Sequence, residues 1–323
     1  MNMFKINKNC IALVDYGVTV VREVTLASNK NYGEWLDRGL DYPLTYMKDR
    51  ERRLEFKAKS ALVFLFSYAE FMQDLLAYYN SSLVKNRLRF AAFSLAYEGF
   101  DYHHIIKNFL LEVLADLQQQ GYHGVVAVDS SPILERDLAY RALPGRVWFG
   151  KNSMLLHKEH GSLTIIGEIL LDQEYPLPPT QDVLTSDCCG KCQCCFESCP
   201  TSAINKDKKL ITTAKCLSAL SVEVRKATAL TAKLDGTTFF GCDRCLLACP
   251  WNQRALAKHT PKPLESYFHH PKFKLLYDFF FARDEAAIFK DLSRMSNNGF
   301  RKMFAGTSLE RTGREGILKN LQV

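Results

Sequence analysis

Residues 189–200 read CGKCQCCFESCP, and residues 242–250 read CDRCLLACP. The first stretch spells C-x2-C-x2-C-x3-C-P through Cys189, Cys192, Cys195, Cys199 and Pro200. Three cysteines at this spacing wrap one [4Fe–4S] cubane in a tight loop, and the fourth, before proline, is carried to a second cubane. Cys188 and Cys194 leave the register intact, because a start at Cys188 would put Lys191 where a ligand is required. The second stretch repeats the pattern through Cys242, Cys245, Cys249 and Pro250, but Phe239 stands where one more cysteine is needed. Cys216, displaced by a long insertion, supplies it. With the crossover applied, Cys189, Cys192, Cys195 and Cys249 hold one cluster, and Cys199, Cys216, Cys242 and Cys245 hold the other. The competing reading, a pair of structural zinc sites, expects paired C-x2-C knuckles instead.

The rest of the composition agrees with metal rather than disulfides. Ten of eleven cysteines fall between Cys188 and Cys249, and Cys10 stands alone. No export signal and no apolar run long enough for a membrane span is legible, so a soluble cytoplasmic monomer is the expectation. The chain has 323 residues, 47% of them hydrophobic and 24% charged, which suits a large core or two domains. Its formal net charge is +7, before two clusters of about −2 each are counted. Charge is uneven: from Arg254 to Lys274 there are five Lys/Arg and three His against one acid, Glu265. Such a stripe is either a solvated face or a phosphate-binding one.

Working outward from the cysteines, the front of the chain alternates strands and helices. Residues 61–67, 124–128 and 162–171 read as buried strands. Ile105, Ile106, Phe109, Leu110, Val113, Leu114 and Leu117 repeat at helical spacing, and Gly121 can end that helix. After Asp129, Ser131 and Pro132 are an N-cap and first residue for another helix. The expected architecture is α+β. An α/β domain over residues 1–178 is followed by a ferredoxin-like domain over 179–252 and a basic, mostly helical segment over 253–323. The proline-rich connector Tyr175 to Asp182 separates the first two.

Two cubanes alone make an electron carrier, and a carrier needs far fewer residues. The front domain is therefore expected to hold the site that the electrons reach. It carries neither a dinucleotide fingerprint nor a P-loop. Asp101-Tyr102-His103 begins like the D-x-H-x-x-G cobalamin motif, but Ile106 occupies the glycine position. Asp129, at the end of an apolar strand, is the most suggestive acid; the bland alternative is a turn or cap residue.

Several segments together resemble one family, the cobalamin-dependent epoxyqueuosine reductases. They are YEGFDYHHIIKN (97–108), VDSSPILERDLAYRA (128–142), FGKNSMLL (149–156), GSLTIIGEILLD (161–172), the cysteine stretches, CLSALSVE (216–223) and RTGREGILKN (311–320). The resemblance implies a reductive-dehalogenase-like cobalamin domain fed by two [4Fe–4S] clusters. It also implies reduction of epoxyqueuosine to queuosine at the wobble position of tRNA with a GUN anticodon. Asp129 would be the proton donor. Arg53, Asp101, Tyr102, Lys151, Asn152 and Ser153 would lie in corrin-contacting segments. Glu223 and the basic stretch after Trp251 would meet tRNA, and a flavodoxin or ferredoxin would supply electrons. Two departures stand out: residues 51–64 are shorter than the family pattern, and LPGRVWFGKN is longer. The rivals are a cobalamin reductase acting on a small molecule, and a non-enzymatic iron–sulfur protein.

Overall fold

The computed structural model describes residues 13–21, 55–128, 136–176, 187–206, 209–230 and 234–321. Arg53, Asp129, Ser131, Pro132 and Cys10 lie outside the described residues, as does most of the connector.

Strand β2 (Ser60–Ser67) is apolar from Ala61 to Phe66, and only its last residue escapes burial. A strand buried on both faces belongs in the middle of a covered sheet. It sits there, in a four-stranded sheet of order β1-β2-β7-β4. Its neighbours are β1 (Leu13–Val20) and β7 (Thr164–Leu171), and β4 (Gly124–Val128) pairs with the far side of β7. Both neighbours of β7 run antiparallel to it, with Ser67 opposite Thr164 and Val128 opposite Gly167. β2 and β4 therefore run parallel and leave the sheet at the same edge.

The two faces follow from the alternation of side chains. Leu62, Phe64 and Phe66 face helix α2 (Tyr102–Gln119), whose buried stripe includes Ile106, Phe109, Leu110, Val113 and Leu117. Phe109 meets Phe64 and Phe66 edge-on, at 5.9 and 5.3 Å between ring centres. Asp101 caps this helix by accepting from the His103 amide at 3.0 Å. Val63 and Leu65 face the opposite layer, where Leu138, Ala139 and Ala142 of α3 (Arg136–Ala142) lie. A Cβ on Gly17 would stand 2.0 Å from the Ala142 carbonyl oxygen, so α3 packs against β1 only because residue 17 is glycine. Strand β1 itself was not legible in the sequence: Asp15 interrupts its apolar pattern, and a bulge between Leu13 and Asp15 accommodates it.

Between the sheet strands lie α1 (Ala69–Tyr79), the short β3 (Arg89–Phe90) and a hairpin of β5 (Val147–Phe149) and β6 (Leu155–His157). The cysteine region holds α4 (Cys194–Glu197), α5 (Leu217–Glu223), β8 (Thr238–Phe240) and α6 (Arg244–Leu247). The C-terminal segment is helical as expected. It runs through α7 (Pro250–Leu256), α8 (Pro271–Leu276), a π-turn over Tyr277–Phe281, α9 (Glu285–Arg294), α10 (Asn297–Met303) and α11 (Leu309–Leu321). The three segments share one core. A single hydrophobic cluster runs through Leu62, Phe90, Phe239, Leu256, Phe280 and Ile317. β3 from the front pairs in parallel with β8 from the cysteine region. No helix among the described residues is long and apolar enough to cross a membrane.

Candidate functional site

The two cysteine loops are built alike. In the first, Gln193 enters α4 at φ −127°, ψ 5°, and Ser198 leaves it at φ −78°, ψ −13°. In the second, Asp243 enters α6 at φ −101°, ψ 7°, and Ala248 leaves it at φ −74°, ψ −12°. The internal repeat is thus a repeat of backbone shape as well as of cysteines. The first loop is closed locally: the Cys192 amide donates to the Cys189 carbonyl at 3.0 Å, and the Cys189 amide donates to Asp187 Oδ1 at 2.9 Å. The Cys199 sulfur accepts from the Ala203 amide at 3.3 Å.

Burial and neighbouring thiols act together on the buried cysteines. Burial, then the thiols of Cys189, Cys249 and Cys192, push the Cys195 thiol up to about 11. Burial raises Cys249, with Cys189 and Cys192 adding to it against backbone amides that pull it down. Cys242 is pushed up to about 11 by burial, then by Asp243 and Cys216. Burial raises Cys245, and Cys216, Cys242, Asp243 and Cys195 add to it in that order. Burial raises Cys216 too, and Cys199 is its sulfur neighbour. The sets expected from the cysteine spacing are Cys189, Cys192, Cys195, Cys249 and Cys199, Cys216, Cys242, Cys245. Each takes one member from the distant loop. All ten described cysteines are free of disulfides.

This donor set fits [4Fe–4S] clusters. Thiols held protonated by burial become ligands only when a strong local positive charge displaces their protons, which iron provides. Among the described residues, no three His, Cys, Asp or Glu converge tightly enough to hold a single ion. Cys194 is partly exposed, and its thiol is raised first by a hydrogen bond with Cys192.

The hairpin tip after β5 carries Lys151, Asn152 and Ser153. Gly150 and Met154 close it, the Gly150 amide donating to the Met154 carbonyl at 2.8 Å. Ser153 has φ +62°. Asn152 is buried and accepts from the Met154 amide. Lys151 reaches across to the first cysteine loop, donating to the Gly190 carbonyl at 2.6 Å and the Cys192 carbonyl at 2.9 Å. Lys209 makes the reciprocal link, donating to the Phe149 carbonyl at 3.1 Å and pairing with Asp187. Asp101 and Tyr102 sit at the start of α2. Asp101 also holds His103 Nδ1 at 2.7 Å, and Tyr102 is buried with its ring stacked on His103.

Near Ser67, where β2 leaves the sheet, lies a cleft of about 420 Å³ walled by Tyr68, Tyr97, Glu98, Ile105, Tyr267 and His270. The basic stretch borders it, and its charge is largely matched. Lys258 pairs with Glu159 at 2.6 Å, Lys262 with Glu70, and Lys274 with Asp278 at 2.6 Å. Arg254 lies over the Trp251 ring at 4.1 Å. Glu223, expected at the tRNA surface, is engaged by Arg311 at 2.8 Å instead.

Several supporting residues were missed by the sequence reading. Asn320 donates to the Ser221 and Phe239 carbonyls, and Lys319, itself buried, donates to those of Leu220 and Val224. Together they bind α11 to α5 and β8, the elements that follow Cys216 and precede Cys242. Asp243 Oδ2 accepts from the Ala92 amide at 2.8 Å, and burial pushes the acid up to about 7. Nothing in the sequence reading singled out Asn252, Lys209 or Lys319.

Comparison with known proteins follows the same lines. A family described as a 4Fe-4S double cluster binding domain matches residues 188–252. The epoxyqueuosine reductase of Cyclobacterium marinum is 33% identical over 298 residues, 89% of this chain and 84% of that protein. That of Pseudomonas aeruginosa is 34% identical over 228 residues, covering 70% of this chain and 57% of the relative. A crystal structure of selenomethionine-labelled epoxyqueuosine reductase superposes with a TM-score of 0.66 at 25% identity, covering 96% of this chain and 76% of that one. An epoxyqueuosine reductase crystallised with an epoxyqueuosine-modified tRNA-Tyr stem loop gives 0.63 at 23% identity, covering 96% and 76%. Sequence kinship across nearly the whole length, with the cluster domain in the same place, leaves one conclusion: the chain belongs to the epoxyqueuosine reductase family.

Proposed function

We propose that this chain reduces epoxyqueuosine to queuosine at the tRNA wobble position, using two [4Fe–4S] clusters, cobalamin and Asp129 as the proton donor. The observation that carries the reading is the bond between the hairpin tip and the first cysteine loop through Lys151. The segment expected to touch the corrin is thereby joined to the loop expected to hold a cluster, and electrons would have a short path between them. The relative crystallised with a modified tRNA stem loop supports tRNA as the substrate.

The residues fit a corrin in that sense. Asp101, Tyr102 and Asn152 have side chains engaged inside the fold, so their segments would offer it backbone and shape, with Lys151 and Ser153 at its rim. When bound, cobalamin supplies reduced cobalt as the electron source for the epoxide. Loss of an epoxide oxygen as water takes two electrons and two protons. Asp129 would give a proton to that leaving oxygen, and must stay protonated near neutral pH to do so. β4 delivers the chain toward it through Val128, which is buried opposite Gly167. Burial is the force that raises a carboxyl pKa to this range.

The test is anaerobic reconstitution with iron, sulfide and cobalamin, followed by assay on epoxyqueuosine-tRNA with a chemical reductant. Conversion that requires cobalamin and is lost in Asp129→Asn is expected. A wild-type rate in Asp129→Asn would remove the proton-donor assignment. Bound clusters and corrin without conversion would move the substrate to another reducible group.

A further inference from the structure

We infer that Lys151 is a positioning residue that ties the first cysteine loop to the active-site hairpin and raises the reduction potential of the cluster held there. The inference rests on the assignment of Cys189, Cys192 and Cys195 to one cluster. It needs no contact between Lys151 and the corrin.

The geometry is specific. Lys151 Nζ lies 2.6 Å from the Gly190 oxygen and 2.9 Å from the Cys192 oxygen, within the turn that carries two of the ligands. Among the described residues no carboxylate pairs with it. Among those residues its charge is unmatched, unlike that of Lys209, which shares Asp187 at 3.1 Å. Gly190 has φ +48° and open space around it, and Gly190 and Lys191 are exposed. The turn has little packing to hold it, so the two ammonium bonds fix it in place.

The electrostatic consequence follows from sign. A cubane with four thiolates is already negative, and reduction adds one more negative charge. A fixed cation beside it favours the reduced state, so the potential rises. The second cluster, with Cys216, Cys242 and Cys245, lies in the other cysteine group. An electron from an external low-potential donor would reduce the second cluster, then move to the first, leaving the second oxidised again. Lys151 makes that transfer downhill toward the cluster beside the hairpin.

The test uses the full-length protein reconstituted with both clusters, without tRNA, in an EPR-monitored redox titration. Lys151→Gln keeps a donor and removes the charge; Lys151→Arg keeps both. The expected result is a lower midpoint potential for one cluster in Lys151→Gln, an unmoved value for the other, and recovery in Lys151→Arg. Selective loss of one cluster's iron in Lys151→Gln, with Lys151→Arg intact, supports the tie by a different readout. Two potentials that stay at wild-type values, or that fall together, with iron content full, would overturn it. Wild-type protein that assembles no cluster at all would instead overturn the cluster assignment beneath it, and iron analysis tells these results apart.

Discussion

Asn252 and Ser162 are locked together at the boundary between the cysteine region and the front sheet. Asn252 Oδ1 accepts from the Ser162 amide at 2.7 Å, and Asn252 Nδ2 donates to Ser162 Oγ at 3.0 Å and to the Leu246 carbonyl at 2.9 Å. Asn252 is fully buried. Truncation leaves buried partners without bonds, so Asn252→Ala should lower stability by about 2–4 kcal/mol. A Cβ at Gly161 would stand 2.1 Å from Asn252 Oδ1, and Gly161 has φ +60°. Gly161→Ala should therefore be at least as damaging. Denaturant unfolding of the holo-protein measures both, and near-wild-type midpoints would remove Asn252 as the keystone.

Cysteine substitutions should sort by cluster rather than by sequence position. Cys249→Ser should perturb the same EPR signal as Cys195→Ser, although the two residues lie in different loops. Cys199→Ser should perturb the same signal as Cys245→Ser. Each should cost about half the iron, one of two clusters. Cys188→Ser and Cys194→Ser should keep both. If Cys249→Ser instead shares its signal with Cys245→Ser, the crossover is wrong.

The buried Lys319 gives the fold a dependence on alkaline pH. Burial lowers its pKa from 10.5 to about 8. Below that value both folded and unfolded chains carry the proton, and the folded one bears the full cost of burying it. Between about 8 and 10.5 the unfolded chain binds more protons, so stability rises with pH. In Lys319→Met this contribution is absent. The stability of wild type relative to Lys319→Met should thus increase as pH climbs through that window. Thermal unfolding on both sides of it reads the difference, and a constant gap would show that the ammonium is not penalised.

Matched charges should blunt the salt dependence of tRNA binding. Each phosphate contact contributes about 0.7–0.9 to the slope of log affinity against log salt. Lys262 spends its charge on Glu70, and Glu70 is held below the usual carboxylate range, chiefly by that hydrogen bond. Lys262→Met should change the slope by less than one full contact. Lys272, which lies 5.9 Å from the Phe100 ring centre, is expected to behave as a full contact if it faces phosphate. Binding titrations at several salt concentrations separate them, and equal slopes for both variants would mean that the ion pair opens on binding.

The double-cluster domain was legible in the sequence because cluster ligation is local chemistry. Three sulfurs within one turn of chain can reach a cubane only at fixed spacings, so Cys189, Cys192 and Cys195 declare themselves. The buried strands at 60–67, 124–128 and 164–171 and the helix at 102–119 were legible for a similar reason, since their apolar period reflects faces that each element must bury. Tertiary structure decided what depends on distant partners. Strand β1 forms despite Asp15 because β2 supplies its ladder and Arg146 and His157 receive the carboxylate. Lys319 and Asn320 cap elements nearly a hundred residues away. Glu223 is paired with Arg311, 88 residues away in the chain. Lys151 lies in a segment read as a corrin contact, and only the fold shows its ammonium on the carbonyls of the cluster loop. A long, flexible side chain takes whichever partner the folded chain brings within reach, and sequence spacing carries no record of that partner.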